Sequence, residues 1–345
     1  MQAAVFKSPG QPLAIEEIEA PRLRPEGLII EVKACGICGS DLHMAEVHDS
    51  SGGMQPLRAG AVMGHEFCGE IAEVGKGAKS DWQVGERVTA LPYLACGHCY
   101  ECLAGFGHRC PQARYTGMGG EAGAYAQYMQ VGAAETLKLP SGVDYQFGAL
   151  VEPLAVALHG VHAAQLQPGE NVLVMGAGPI GIATAMWCKH FGAAHVVVSD
   201  MVPERLNIAT RMGATHCINA GEENVISAYK SVASKRPDVI IECIGIPGTQ
   251  QLAMDYAPAG ARLVIVGVCM EPDSIVPVKA LTKELQVNYV FMYRKQDFAI
   301  TIDFLDRERI DPTPMITESI GFNEFPNAFE SLKSDKTACK VLLKP

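Results

Sequence analysis

The sequence has no basic run of five or more residues and little charge of either sign. Lysine and arginine number 28 against 38 aspartates and glutamates, for a formal net charge of −10, and only 19% of residues are charged. A nucleic-acid groove needs clustered lysine and arginine, so no nucleic-acid partner is expected. Low charge with a hydrophobic share of 48% argues against disorder and for sizeable cores. No segment approaches the ~18 consecutive apolar residues of a membrane span, so no membrane partner is expected either. The opening MQAAVFKSPGQPLAIEE lacks the apolar stretch of a secretory signal. A cytoplasmic globular protein is expected, and its 345 residues suggest two domains or one large one.

Cysteine, in contrast, is plentiful, with twelve in the chain. Without a signal segment these read as reduced thiols. Cys188, Cys217, Cys243 and Cys269 stand singly in apolar surroundings and are expected in the core. Cys96, Cys99, Cys102 and Cys110 cluster in CGHCYECLAGFGHRC, with the spacing C-x2-C-x2-C-x7-C. Four thiolates in a short loop form a tetrahedral cage closed to further ligands, which is a structural zinc site. An iron–sulfur cluster uses similar spacing and is the competing reading. Gly97 and Gly107 are expected to supply left-handed backbone around the ion. His98 and His108 are surplus to four sulfurs and are expected to be exposed.

The first 150 or so residues hold short β-like runs broken by Gly and Pro, such as GLIIEVKACG and FCGEIAEVGKGA, and predict a compact antiparallel β domain. From about Pro168 strand-like and helical segments alternate, which predicts βαβ units around a parallel sheet. The last fifty residues look helical and end in a short strand, CKVLLKP, expected to return to the first domain.

ACGICGSDLHM and MGHEFCGEI present a second set of ligands: Cys38, His65 and Glu66 offer sulfur, nitrogen and oxygen. Cys35 competes with Cys38, and spacing does not choose between them. Asp41 is placed to orient His65. Glu152, just before Pro153 and flanked by Ala149, Leu150 and Val151, is a carboxylate in apolar surroundings that needs a partner, and a metal ion would be one. Three protein ligands plus water make a catalytic zinc site with an open position. Singly, each has an ordinary explanation: Cys38 as a core thiol, His65 as a turn residue, Glu152 as a charge at a helix start. His159 and His162, on a helix expected after Glu152, are read as packing or surface residues.

VLVMGAGPIGIA carries Gly176, Gly178 and Gly181 in G-x-G-x-x-G spacing, with Pro179 and Ile180 between the last two. The motif follows a strand-like run and opens a helical stretch. Gly176 serves the tight turn, Gly178 the approach of a pyrophosphate, and Gly181 close packing of helix on strand. The helix N-terminus attracts the phosphates. Asp200, 19 residues after Gly181, is placed for the adenosine ribose hydroxyls and repels a 2′-phosphate, which favours NAD. Arg205 is the nearby basic residue that would instead hold a 2′-phosphate.

Together, GICGSDLH, GHEFCGEI, the four-cysteine loop, EPLAVALHG and GAGPIG resemble the zinc-dependent medium-chain dehydrogenases, in the branch of sorbitol, butanediol and threonine dehydrogenases, over nearly the whole chain. The resemblance implies an α/β chain with a GroES-like β-rich catalytic domain over residues 1–152 and 296–345 and a Rossmann NAD-binding domain over 153–295. It implies two Zn²⁺ per chain and selects Cys38 with His65 as catalytic ligands, the remaining ligand being Glu66 or Glu152. It also implies that Ser40 takes the substrate proton and passes it through the nicotinamide ribose to His43 and solvent, and that the protein is a homotetramer or homodimer. Polyol dehydrogenases of this branch carry arginine in an F-R-Y segment. Here the run is VFMYRKQ, which puts Met292 and Tyr293 at the substrate pocket. Met292 donates no hydrogen bond, so a less polar alcohol than sorbitol is expected. The long VHDSSGGMQPLRAGAV between the ligand motifs is expected to form a flexible loop.

The expected activity is NAD-dependent interconversion of a secondary alcohol and its ketone. The alternatives are oxidation of L-threonine by the same chemistry and a non-enzymatic zinc- and nucleotide-binding protein.

Overall fold

The computed structural model describes residues 1–48, 55–79 and 81–345. Of the loop expected over residues 47–62, residues 49–54 therefore lie outside the described residues. The chain divides into two compact units, Met1–Glu152 with Tyr293–Pro345, and Pro153–Met292.

The first unit is built on a seven-stranded sheet. Its order is Ile316–Ile320, Lys340–Leu343, Gly27–Gly36, Glu66–Val74, Arg87–Ala90 and Thr136–Lys138, and Tyr128–Gly132 also pairs with Gly27–Gly36. All pairings are antiparallel except that of Ile316–Ile320 with Lys340–Leu343. The central strand, GLIIEVKACG, buries Leu28, Ile30 and Val32 in a core that includes Phe67, Tyr125, Phe325 and Phe329. Its register against Glu66–Val74 shifts between Val32 and Ala34, a bulge that bends the strand near the site. A Cβ at Gly69 would lie 2.0 Å from the Glu31 carbonyl oxygen, so only glycine fits opposite that bend.

The C-terminal segment is less helical than its sequence suggests. Helices Lys295–Asp306 and Phe325–Ser334 form, but the strand Ile316–Ile320 lies between them. Its β-branched residues Ile316, Thr317 and Ile320 favour that conformation. The final strand then pairs Leu342 with Gly36 and Leu343 with Cys35.

The second unit is a six-stranded, wholly parallel sheet ordered His216–Asn219, His195–Asp200, Asn171–Met175, Val239–Glu242, Arg262–Ile265 and Gln286–Tyr289. Numbered along the chain this order is 3-2-1-4-5-6, the doubly wound arrangement whose direction reverses beside the first strand. That strand, NVLVM, is buried at every position, as expected where helices cover both faces. The following helix, Pro179–His190, starts with proline in its first turn and is buried from Gly181 to Cys188.

The helix near Glu152 does not begin there: it runs from Tyr145 to Ala163 with Pro153 inside it. Asp144 caps its start, accepting the Phe147 amide at 2.8 Å. Glu152 is therefore a mid-helix residue. Among the described residues no helix is long and apolar enough to cross a membrane.

Candidate functional site

The four-cysteine loop closes on itself. The sulfurs of Cys96, Cys99, Cys102 and Cys110 all lie within 4.8 Å of one another. Cys99 and Cys102 are 3.5 Å apart and Cys96 and Cys102 3.8 Å, and no disulfide joins any of the twelve cysteines. The loop aims backbone amides at its sulfurs: Cys99 N donates to Cys96 Sγ at 3.4 Å, and Gln112 N to Cys110 Sγ at 3.4 Å. The backbone N–H of His98 helps hold the Cys96 thiol down at about 6, whereas desolvation and the neighbouring thiols push Cys102 up to about 12. A soft divalent cation resolves that unequal sharing of protons by holding all four groups as thiolates, so the donor set fits zinc.

Two details of this loop differ from expectation. Gly97 is left-handed, at φ 75°, but Gly107 is not; the second left-handed glycine is Gly105, at φ 83°. Gly107 instead supplies space, since a Cβ there would meet the Tyr93 hydroxyl at 3.0 Å. His98 is exposed, but His108 is buried, its ring 6.1 Å from that of Phe106 in an edge contact. Of the isolated cysteines, Cys188 is buried, Cys217 and Cys243 are half-buried, and Cys269 is exposed instead of lying in the core.

The second group is assembled from two distant segments of the first unit. Cys38 precedes the short helix Gly39–Met44, and His65 and Glu66 stand at the start of the strand Glu66–Val74. Their ligand atoms lie within 4.8 Å of one another. Cys35, three residues earlier, points into the core and is fully buried. Asp41 ties the group together. Its Oδ1 lies 3.2 Å from His65 Nδ1, while its Oδ2 accepts the Cys38 amide at 3.1 Å and the Tyr125 hydroxyl at 2.6 Å. This fixes the His65 ring so that Nε2 faces the other ligands, the arrangement by which a carboxylate orients a metal-bound imidazole. Burial opposes a charge on His65, but Asp41 outweighs it and holds the imidazole pKa well above its ordinary value. Ser40 Oγ lies 3.4 Å from His65 Nε2, and His43 is exposed one turn further along the same helix.

Two carboxylates border this group, each with its own partner. Glu66 is wholly buried, and both of its oxygens accept from Lys340 Nζ at 2.7 Å. Glu152 is nearly buried, and its Oε1 accepts the Tyr293 hydroxyl at 2.8 Å. Burial pushes the Glu152 carboxyl up to about 7; nearby His65 opposes the rise and Glu66 adds to it. Glu152 is outside the tight Cys38–His65–Glu66 group but within electrostatic reach of it. A thiol, an imidazole and a carboxylate converging in a buried site suit zinc with a further position for a small ligand. Lys340 and Tyr125 are the partners that sequence reasoning missed. Lys340 left a signal, a charge set between Cys339 and the apolar run VLL of the final strand, and Tyr125 left none.

In the second unit Gly176 takes φ 93°, a conformation that only glycine adopts without strain. A Cβ at Gly181 would lie 1.9 Å from the Gly176 carbonyl oxygen, and one at Gly178 would meet nothing within 4 Å. So Gly181 closes helix on strand, and Gly178 leaves open room at the helix start, with Pro179 and Ile180 opening the first turn. Asp200 ends the neighbouring strand, accepting the Ala177 amide at 2.6 Å and the Val202 amide at 2.9 Å. Arg205 is half-buried on the helix Pro203–Arg211. This cradle fits a dinucleotide. Met292 stands at φ 55°, an unusual conformation for a side-chain-bearing residue, and is half-buried; Tyr293 is fully buried. His159 is buried and His162 packs 5.9 Å from the Phe191 ring.

A family model described as zinc-binding dehydrogenase matches residues 179–307, and one described as alcohol dehydrogenase GroES-like domain matches residues 24–141. The chain is 31% identical to the sorbitol dehydrogenase of Bacillus subtilis (strain 168), covering 100% of this chain and 97% of that protein. It is 31% identical to the L-threonine 3-dehydrogenase of Aeromonas salmonicida (strain A449), covering 95% and 94%. Among solved structures, an alcohol dehydrogenase of E. coli CFT073 complexed with cofactor NADH superposes with a TM-score of 0.90 at 31% identity, covering 100% of this chain and 99% of that one.

Proposed function

The chain belongs to the zinc-dependent medium-chain dehydrogenases, and on that footing we propose that it interconverts a secondary alcohol and its ketone, with NAD as hydride acceptor and donor and two zinc ions per chain. The observation that carries this reading is the convergence of Cys38, His65 and Glu66, in a chain that also holds the glycine cradle closed by Asp200. When bound, zinc at Cys38 and His65 supplies Lewis acidity toward the alcohol oxygen, and NAD supplies the hydride chemistry.

The chain's own residues do the rest. Asp41 holds His65 Nδ1 and turns Nε2 toward the site, where a bound metal would take the place of its proton. Ser40 Oγ, beside His65 Nε2, takes up the alcohol proton, and exposed His43 delivers it to solvent. Tyr293 holds Glu152 in place at the edge of the site. Gly176, Gly178, Pro179, Ile180 and Gly181 seat the pyrophosphate at a helix start. Asp200, fixed by two amides, receives the ribose hydroxyls and disfavours a 2′-phosphate despite Arg205. The four-cysteine lobe holds its zinc closed and contributes stability.

Met292 offers an adaptable apolar wall, which favours vicinal diols and cyclic alcohols over sugar alcohols. Likeness to L-threonine 3-dehydrogenases supports a second reading, oxidation of an amino-acid alcohol. A panel of polyols, vicinal diols, cyclic alcohols and L-threonine, followed by NADH absorbance, separates the two. Turnover highest on diols or cyclic alcohols supports the first reading, and turnover on L-threonine alone replaces it. The net charge of −10 supports a protein without a nucleic-acid partner, and twelve free thiols suit a reducing, cytoplasmic setting. The sheet-edge strand Gln286–Tyr289 and the preceding helix expose Val278, Leu281 and Tyr289. An uncovered apolar edge of this kind supports a homodimer or homotetramer.

A further inference from the structure

We propose that Lys340 is a positioning residue of the Cys38–His65 metal centre: it competes with the metal for Glu66 and so makes Glu66 the ligand that lets go. The inference rests on the zinc centre proposed above and adds a residue from the far end of the chain.

Strand register produces the arrangement. Gly36 lies directly across from Glu66 on one side and from Leu342 on the other. Lys340 is two residues before Leu342, so its side chain leaves the same face of the sheet. Gly36 has no side chain to fill the space between them; a Cβ there would stand 2.0 Å from Glu66 Oε2. The Glu66 carboxylate occupies that space, and Lys340 Nζ reaches both of its oxygens at 2.7 Å and the Ile37 carbonyl at 3.0 Å. Lys340 is 1% exposed and Glu66 0%, so neither charge has water as an alternative partner.

A cation placed equally between two carboxylate oxygens takes the chelating position that a divalent metal would use. A metal bound to Glu66 must therefore either share the carboxylate with an ammonium or displace it, against like-charge repulsion in a dry site. Cys38 and His65 carry no such cationic competitor: Asp41 engages the far nitrogen of His65 and the backbone of Cys38, and the group beside His65 Nε2 is the neutral Ser40 hydroxyl at 3.4 Å. Of the three converging ligands, Glu66 alone is held on a leash. A ligand held weakly yields its position to an incoming alcohol oxygen; one held strongly blocks it.

Zinc release from the holoenzyme into excess chromophoric chelator tests this. Wild type should release two ions per chain, and Cys38→Ser only one, which assigns the second phase to this centre. Lys340→Met should slow release of that ion about tenfold, Lys340→Arg should stay within about threefold of wild type, and Lys340→Met combined with Glu66→Gln should return to the wild-type rate. Lys340→Met should also raise the KM for the alcohol more than it lowers kcat. Should Lys340→Met fold poorly, Glu66→Gln alone decides: with Lys340 already holding the carboxylate, release should change by less than about threefold. The proposal is overturned if Lys340→Met releases zinc at the wild-type rate or faster, if the double variant stays slow, or if Glu66→Gln alone releases about tenfold faster. If wild type and Cys38→Ser release the same number of ions, the metal centre itself is misassigned, a separate failure from that of Lys340.

Discussion

The four-cysteine lobe and the Cys38 centre both gather metal ligands, by opposite means. The lobe draws its four ligands from fifteen consecutive residues, all soft, three of them half-buried and Cys110 buried, and supported by backbone amides. The Cys38 centre draws its sulfur from one segment and its nitrogen and oxygen from another, and buries His65 and Glu66. Its supports are side chains: Asp41 three residues from Cys38, and Tyr125, Tyr293 and Lys340 from far along the chain. A closed cage needs only that sulfurs meet. An open site needs each ligand oriented and its charge balanced while one position stays free, and that takes a second layer of residues.

If that contrast is real, the two sites should respond differently to the same perturbation. The largest difference is expected on changing pH in the metal-free protein. Burial raises the Glu152 carboxyl to about 7 from 4.5, so the folded state holds a proton that the unfolded state has lost. The stability this brings is present below about pH 4.5 and is lost as pH rises through 7, on the order of 3 kcal/mol. His65, also raised, acts in the same direction. Thermal melts of metal-free protein between pH 5 and 8, run with and without Glu152→Gln, check this. The expected outcome is a falling melting temperature that the substitution flattens, while the four-cysteine lobe acts in the opposite direction, because Cys96, held down at about 6, gains stability as pH rises. With zinc bound the trend should reverse, because the ion requires its ligands ionised. A smaller effect is expected from Asp41→Asn, which weakens the orientation of His65 and should lower zinc affinity at the Cys38 centre about 10- to 100-fold while leaving the lobe's ion in place. Competition with a graded series of chelators distinguishes the two ions.

The same contrast explains what could be read in advance. The lobe is local, so its ligands are visible as spacing, and the glycine cradle is visible because Gly176, Gly178 and Gly181 answer to short-range steric demands. The strands of the parallel sheet announce themselves as continuous apolar runs. What escaped is what depends on pairing between distant strands. Nothing near Lys340 in the sequence says that its strand lies beside Gly36, or that Gly36 leaves room for Glu66. Tyr125 reads as one more core aromatic until its hydroxyl is seen against Asp41. Helix Tyr145–Ala163 was hidden by Pro153, which reads as a helix start although it lies within the helix. Register and long-range burial are set by the assembled sheet, and a linear reading sees them only as isolated oddities.

The Cys38 centre is the proposed seat of the chemistry. Zinc content and NADH formation measured side by side for wild type and Cys38→Ser test it most directly. Two zinc ions per chain falling to one, with the melting temperature kept and turnover of a secondary alcohol down by at least about a thousandfold, is the predicted result. Unchanged zinc content, or turnover that survives the loss of that ion, would contradict it.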